Sequence, residues 1–97
     1  MQVIKRNGTI VDYDPNKIEI AIGKANEEVK PKERATKKEI KLILEYIENL
    51  KKERLLVEDI QDIIEEQLMS FKHYDLAKKY IIYRYKRALV RKANTTD

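Results

Sequence analysis

Asn7-Gly8 stands between two short apolar runs, Val3-Ile4 and Ile10-Val11, and this arrangement commits the start of the chain to an antiparallel hairpin. Both central residues of a two-residue type I′ turn need φ > 0, which Asn and Gly tolerate, so the pair predicts a tight ribbon with Lys5 and Arg6 held at its tip. The strand pattern ends at Tyr13, and Asp14 before Pro15 then reads as a helix N-cap followed by N1. That places Lys17 at N3, beside unpaired backbone N–H groups and the positive end of the helix dipole. Lys5, Arg6 and Lys17 are therefore expected to converge on one small site, and fixed positive charge of this kind suits a polyphosphate.

Beyond the hairpin the apolar period changes to that of a helix. Ile18, Ala21, Ile22, Ala25 and Val29 form one stripe, broken by Lys30-Pro31-Lys32. Thr36 followed by Glu39 is a capping-box pattern and opens a second helix with Ile40, Ile43, Leu44, Ile47 and Leu50 on its buried side. Leu55-Leu56-Val57 is too short for a helix and reads as a third strand beside the hairpin. A third helix starts near Glu58-Asp59, where the dipole favours acids, and carries Ile60, Ile63, Ile64, Leu68 and Phe71 inward. A fourth runs from Tyr74-Asp75 to about Lys92, with Leu76, Ala77, Tyr80, Ile81, Ala88 and Leu89 among its cations. The expected fold is α+β, a four-helix bundle capped by a small three-stranded sheet, in one domain over residues 1–93. Residues 94–97 have no periodicity and read as the start of a linker to a missing catalytic region.

Several function classes are excluded by what these 97 residues lack. There is no Cys, which removes disulfides, thiolate metal sites and thiol chemistry. Gly8 and Gly23 are the only glycines, so no Gly-rich phosphate cradle can be assembled. The one His, His73, falls in a polar break between helices and reads as a surface residue rather than a general base or ligand. No stretch approaches a membrane span, and no signal-peptide pattern opens the chain, so a cytoplasmic protein is the default.

Charge is concentrated in the last helix: residues 72–92 hold eight Lys or Arg against one Asp, while Glu58, Asp59, Asp62, Glu65 and Glu66 lie on the third helix. Electrostatic pairing of these two helices accounts for Lys78, Lys79, Lys86, Arg91 and Lys92 without any ligand. Arg84 and Arg87 differ, because they sit three apart on one face with Tyr80 and Tyr83, and a guanidinium offers planar bidentate donation to phosphate. Tyr80 and Tyr83 are expected chiefly as core residues with a hydroxyl at the rim.

The string from Val3 to Gly8, then Tyr13, Lys17-Ile18 and Ala21-Ile22, resembles the start of the ATP-cone, the nucleotide-sensing domain of ribonucleotide reductases and of their transcriptional regulators. Val57-Glu58-Asp59-Ile60, Leu76-Ala77 and the series Tyr80, Tyr83, Arg84 and Arg87 recur in the family's order, so the resemblance covers about residues 2–90. The regulators carry a cysteine-rich zinc ribbon; the lack of Cys points instead to the N-terminal regulatory domain of a reductase large subunit.

That resemblance implies a domain which does no chemistry itself and binds ATP or dATP, with Mg²⁺ held mainly by phosphate oxygens and water. ATP would permit activity and dATP would shut it down by changing how reductase subunits or cones associate. It implies that Val3 and Ile4 border the adenine through backbone groups, with Ile4 and Val11 in apolar contact, and that Lys5, Arg6, Lys17 and Arg87 meet phosphates, with Arg84 a further candidate. Asp14 reads as the cap and also falls where the family can face the ligand. Gln61 stands where other cones often have a His near the ribose, and Val57 replaces a common Ser or Thr; both bear on telling ATP from dATP. Adjacent strand residues point to opposite faces, so Lys5 and Arg6 cannot reach one phosphate from a flat ribbon. A basic helical module for nucleic acid or for another protein is the alternative, although nucleic acid is the less expected partner.

Overall fold

A computed structural model describes residues 1–94 of the chain. The elements run β1 (Gln2–Ile4), β2 (Ile10–Asp12), α1 (Pro15–Asn26), a single 3₁₀ turn (Pro31–Glu33), α2 (Lys37–Asn49), β3 (Arg54–Leu56), α3 (Val57–Ser70) and α4 (Tyr74–Asn94). This is the expected α+β arrangement of four helices under a small sheet. Thr95, Thr96 and Asp97, in the segment read as a linker, lie outside the described residues, whereas Asn94 still belongs to α4.

The sheet is mixed, in the order β2-β1-β3, with β1 antiparallel to β2 and parallel to β3. In register, Val3 meets Val11 and Leu55, while Ile4 meets Ile10 and Leu56. Strand alternation therefore gives the sheet two rows. Val3 is buried in the core, with Val11 and Leu55 packed against it, so that row faces the helices. Ile10 and Leu56 are exposed, so the second row, including Ile4, faces outward. Ile4 and Val11 consequently lie on opposite faces and cannot flank the same ring; the inward partners are Val3 and Val11.

The hairpin loop differs from the expected type I′ turn. The Gly8 N–H donates to Lys5 O at 2.9 Å and the Lys5 N–H to Thr9 O at 2.8 Å, which makes a three-residue loop of Arg6, Asn7 and Gly8. Gly8 alone in the loop takes positive φ, at +87°. Asn7 instead accepts the Thr9 N–H at 3.0 Å through Oδ1. One left-handed residue, supplied by Gly, closes this loop where the two-residue turn would need two.

Helix boundaries follow local chemistry. Asp14 Oδ1 accepts the Asn16 N–H at 3.0 Å, and Pro15 occupies the first turn of α1. Val29, expected on the α1 stripe, lies beyond its end at Asn26 but still packs on the core. Asn26 ends the helix by clasping the next segment: its amide accepts the Ala35 N–H at 3.0 Å and donates to Ala35 O at 3.1 Å. α2 has the expected capping box, Glu39 N–H to Thr36 Oγ1 at 3.1 Å and Thr36 N–H to Glu39 Oε1 at 2.9 Å. Val57, read as strand, is the first residue of α3, because β3 passes into that helix with no intervening loop.

The core is formed by Ile22, Ile43, Ile47, Ile64, Leu68 and Leu76, one stripe from each helix. On α4 the inward line runs through Leu76, Ala77 and Tyr80. Ile81 and Leu89 are exposed, since at 3.6 residues per turn they fall away from that line.

Candidate functional site

Parallel pairing of β3 with β1 has a direct consequence for the hairpin tip. β3 runs toward the Ile4 end of the sheet, so α3 starts beside the Lys5–Thr9 loop. No side chain caps α3 at Leu56, and its first turn carries Glu58 and Asp59. Arg6, in the loop rather than in a strand, reaches this turn: its Nε lies 3.2 Å from Glu58 Oε1 and its Nη2 donates to Gln61 Oε1 at 3.3 Å. Arg6 is thus freed from strand alternation, which removes the conflict between neighbouring Lys5 and Arg6. Lys5 continues the β1 ladder on the row of Val3.

From α4, Arg84 Nη1 donates to the same Gln61 Oε1, and its Nη2 sits 2.6 Å from Glu65 Oε1. The Arg84 and Glu65 side chains are only 22% and 13% exposed. A chain of polar contacts therefore crosses three elements, from Glu58 through Arg6, Gln61 and Arg84 to Glu65. Arg84 Nε is buried without a hydrogen-bond partner, so its fork retains a donor still to be satisfied. Tyr80 lies beneath this chain; burial pushes its hydroxyl pKa well above the usual range, Arg84 opposes that rise and Glu65 adds to it. It is a core residue, as expected, and Tyr83 is half-buried.

The structure thus joins Arg6, Gln61 and Arg84 directly. Val57 opens α3 beside them, half-buried against the core. Asp14 and Lys17 occupy the first turn of α1, which begins at the Gln2–Asp12 end of the sheet, away from the loop. Strands of three residues cover about 10 Å, so the cations are strung along the ribbon rather than gathered at one point. Arg87 is exposed one turn beyond Arg84 on α4. Among the described residues, Lys5, Lys17 and Arg87 have no carboxylate within 4.0 Å, whereas Arg6 and Arg84 are both paired with α3 acids. As the central strand, β1 has neighbours on both edges, so the backbone groups of Val3 and Ile4 face the ladders with β2 and β3.

Sequence reasoning missed the acid partners, because a helical stripe does not say which carboxylate meets which cation across elements. The expected general pairing of α3 with α4 reduces to Arg84 and Glu65; Lys78, Lys79, Lys86 and Arg91 have no carboxylate within 4.0 Å among the described residues. The Lys92 side chain lies outside the described residues. It also missed His73, which is half-buried with Nε2 3.0 Å from Glu39 Oε1, tying the α3–α4 turn to the α2 cap. Burial acts to raise the Glu39 carboxyl, but the Thr36 N–H and His73 outweigh it and hold that pKa below the usual carboxylate range. An open groove of about 920 Å³ at the far end of the sheet, lined by Met1, Tyr13, Glu48 and Arg54 among others, contains none of the paired arginines. There the Tyr13 hydroxyl donates to Glu48 Oε2 at 3.1 Å.

No described helix is long and apolar enough to cross a membrane, and no group of three His, Cys, Asp or Glu is placed to hold a metal ion among the described residues.

The family described as "ATP cone domain" matches residues 1–89. The chain is 42% identical over 97 residues to the vitamin B12-dependent ribonucleoside-diphosphate reductase of Thermoplasma acidophilum, covering 93% of this chain and 12% of that protein. It is 35% identical over 108 residues to the ribonucleoside-diphosphate reductase subunit alpha of Chlamydia trachomatis, covering 100% of this chain and 10% of the relative. The corresponding subunit of Chlamydia muridarum is 38% identical with the same coverage, 100% and 10%. The chain spans about a tenth of the length of these relatives.

Proposed function

Because the chain belongs to the ATP-cone family over residues 1–89, we propose that it is the allosteric nucleotide sensor of a ribonucleotide reductase, binding ATP or dATP between the hairpin, the first turns of α1 and α3, and the middle of α4. The observation that carries this reading is the meeting of three elements at Gln61, whose Oε1 accepts from Arg6 of the hairpin and from Arg84 of α4, whose buried Nε has no partner. Lys5 and Lys17, toward opposite ends of the ribbon, have no carboxylate within 4.0 Å among the described residues. Cations left in this way along one ribbon suit a chain of phosphates, and a charge-assisted contact gains more than a neutral one.

In this reading Lys5 and Lys17 meet phosphates from the two ends of the ribbon, and Arg87 meets the triphosphate from α4. Arg6 exchanges Glu58 for a phosphate oxygen. Val3 and Val11, on the inner row, form the apolar wall for adenine, and Ile4, its backbone paired in the ladders and its side chain on the outer row, makes no contact with it. Asp14 serves as the α1 cap. Gln61 stands near the sugar with Val57, and its amide N–H₂, which takes no part in the arginine contacts, is the group that meets a ribose 2′ hydroxyl. Mg²⁺ fits here only as part of the nucleotide complex, on phosphate oxygens and water, since no three His, Cys, Asp or Glu among the described residues are placed to hold a metal ion. When bound, the metal neutralises phosphate charge.

The domain itself carries no catalytic step. It belongs to a cytoplasmic reductase large subunit. Nucleotide identity controls the association of reductase subunits or cones, with a coupling of about 1–3 kcal/mol. Thermal unfolding tests the binding claim. Magnesium ATP at a hundred times its dissociation constant should stabilise the fold by about 2.7 kcal/mol, and GTP at the same concentration should not. An unfolding curve indifferent to ATP and dATP alike contradicts the reading.

A further inference from the structure

α4 has a second apolar face. Away from its buried line of Leu76, Ala77 and Tyr80, the residues Ile81, Ile82, Tyr85 and Leu89 are 37%, 44%, 63% and 49% exposed. Ile81, Tyr85 and Leu89 recur every fourth residue, and Ile82 widens the stripe. From Ile81 to Leu89 the face runs about 12 Å, two helical turns. A helix apolar on two sides is normally covered on both, and only the first is covered by the described residues.

The charges beside this stripe define what fits it. Lys78 and Lys86 are exposed on the same side of α4 with neither having a carboxylate within 4.0 Å among the described residues, and Asp75, a turn before Lys78, is the one acid on that side. Docking a second copy of α4 here would set lysines against lysines around an apolar seam, a like-charge arrangement that works against association. A nucleic-acid backbone would satisfy the lysines but leave the isoleucines, Tyr85 and Leu89 with nothing apolar to cover them. A helix with its own apolar stripe flanked by Asp or Glu satisfies both requirements, by packing along the seam and by complementary charge.

We propose that the outward face of α4, centred on Tyr85 and Leu89, is a docking surface for an acidic amphipathic helix of a protein partner. None of the four apolar residues belongs to the nucleotide contacts proposed above. The face thereby gives subunit association a surface and rests on that reading only for its regulation by nucleotide.

The test titrates the 97-residue chain, without nucleotide, against a synthetic helix bearing leucines at every fourth residue and glutamates beside them. Two control helices replace the glutamates by lysine, or the leucines by serine. The glutamate helix should bind saturably at about 0.15 M salt and both controls at least about tenfold more weakly. Tyr85→Ala should weaken the complex about tenfold with its unfolding curve unchanged. Lys86→Glu should shift preference toward the lysine helix, and carries the charge argument if Tyr85→Ala folds poorly. Equal binding of the glutamate and lysine helices, or full binding to Tyr85→Ala, overturns the proposal. So does a sedimenting dimer that Tyr85→Ala abolishes, which would make a second copy the occupant. Duplex DNA binding that depends on Lys78 and Lys86 but not on Tyr85 overturns it as well. Since no nucleotide enters the titration, failure here leaves the thermal-shift result standing, and the reverse.

Discussion

The Oε1 atom of Gln61 accepts from Arg6 and Arg84 together, so one amide oxygen joins the hairpin, α3 and α4. Its neighbours define what single changes should do. Arg84→Ala leaves the Glu65 carboxylate partly buried without its guanidinium, and should cost about 1–3 kcal/mol of stability in denaturant unfolding. Lys5 has no such partner among the described residues, so Lys5→Ala should leave stability unchanged while weakening ATP binding by about 1.5–3 kcal/mol. Unchanged affinity would remove Lys5 from the site. Glu39 makes a different prediction. Its folded pKa lies below the unfolded value, so the stability it contributes is present above the unfolded pKa and is lost as pH falls through the folded one. Acid unfolding of Glu39→Gln should accordingly show a shallower loss of stability in that window than the parent chain shows.

Gly8 closes the hairpin at φ +87°, and a Cβ there would meet nothing within 4 Å. The cost of Gly8→Ala is therefore backbone strain alone, about 1 kcal/mol, with a loosened loop and weaker nucleotide binding visible by calorimetry. In α2, Ile43 is fully buried, and Ile43→Ala should lower unfolding stability by about 2–5 kcal/mol. These elements differ in how far they could be read beforehand. The α2 stripe and its Thr36–Glu39 box were legible because both depend on residues three and four apart. The loop type was not, because Asn7-Gly8 supports more than one turn and the choice rests on where Asn7 Oδ1 finds its donor. The outward face of α4 was not legible, since Ile81 and Leu89 are apolar whether or not something covers them. The exchange of Arg6 between strand and loop, and with it the Glu58 and Gln61 contacts, depended on that same turn.

At the scale of the molecule, the mixed sheet determines how the site is built. Antiparallel β2 sends α1 off from one end of the strands, and parallel β3 starts α3 at the other, so cations of the hairpin and α1 lie along a ribbon between two helix N-termini. Nothing in the local pattern of Leu55 and Leu56 reported that β3 would run parallel to β1, although it did mark a strand. The bundle and the hairpin were legible; their relative direction came from tertiary pairing. Calorimetric titration with magnesium ATP, then dATP, with GTP as the control, tests the central claim most directly. Saturable binding of the adenine nucleotides that excludes GTP and is weakened by Lys5→Ala is the predicted result. Absence of binding, or equal binding of GTP, would contradict it.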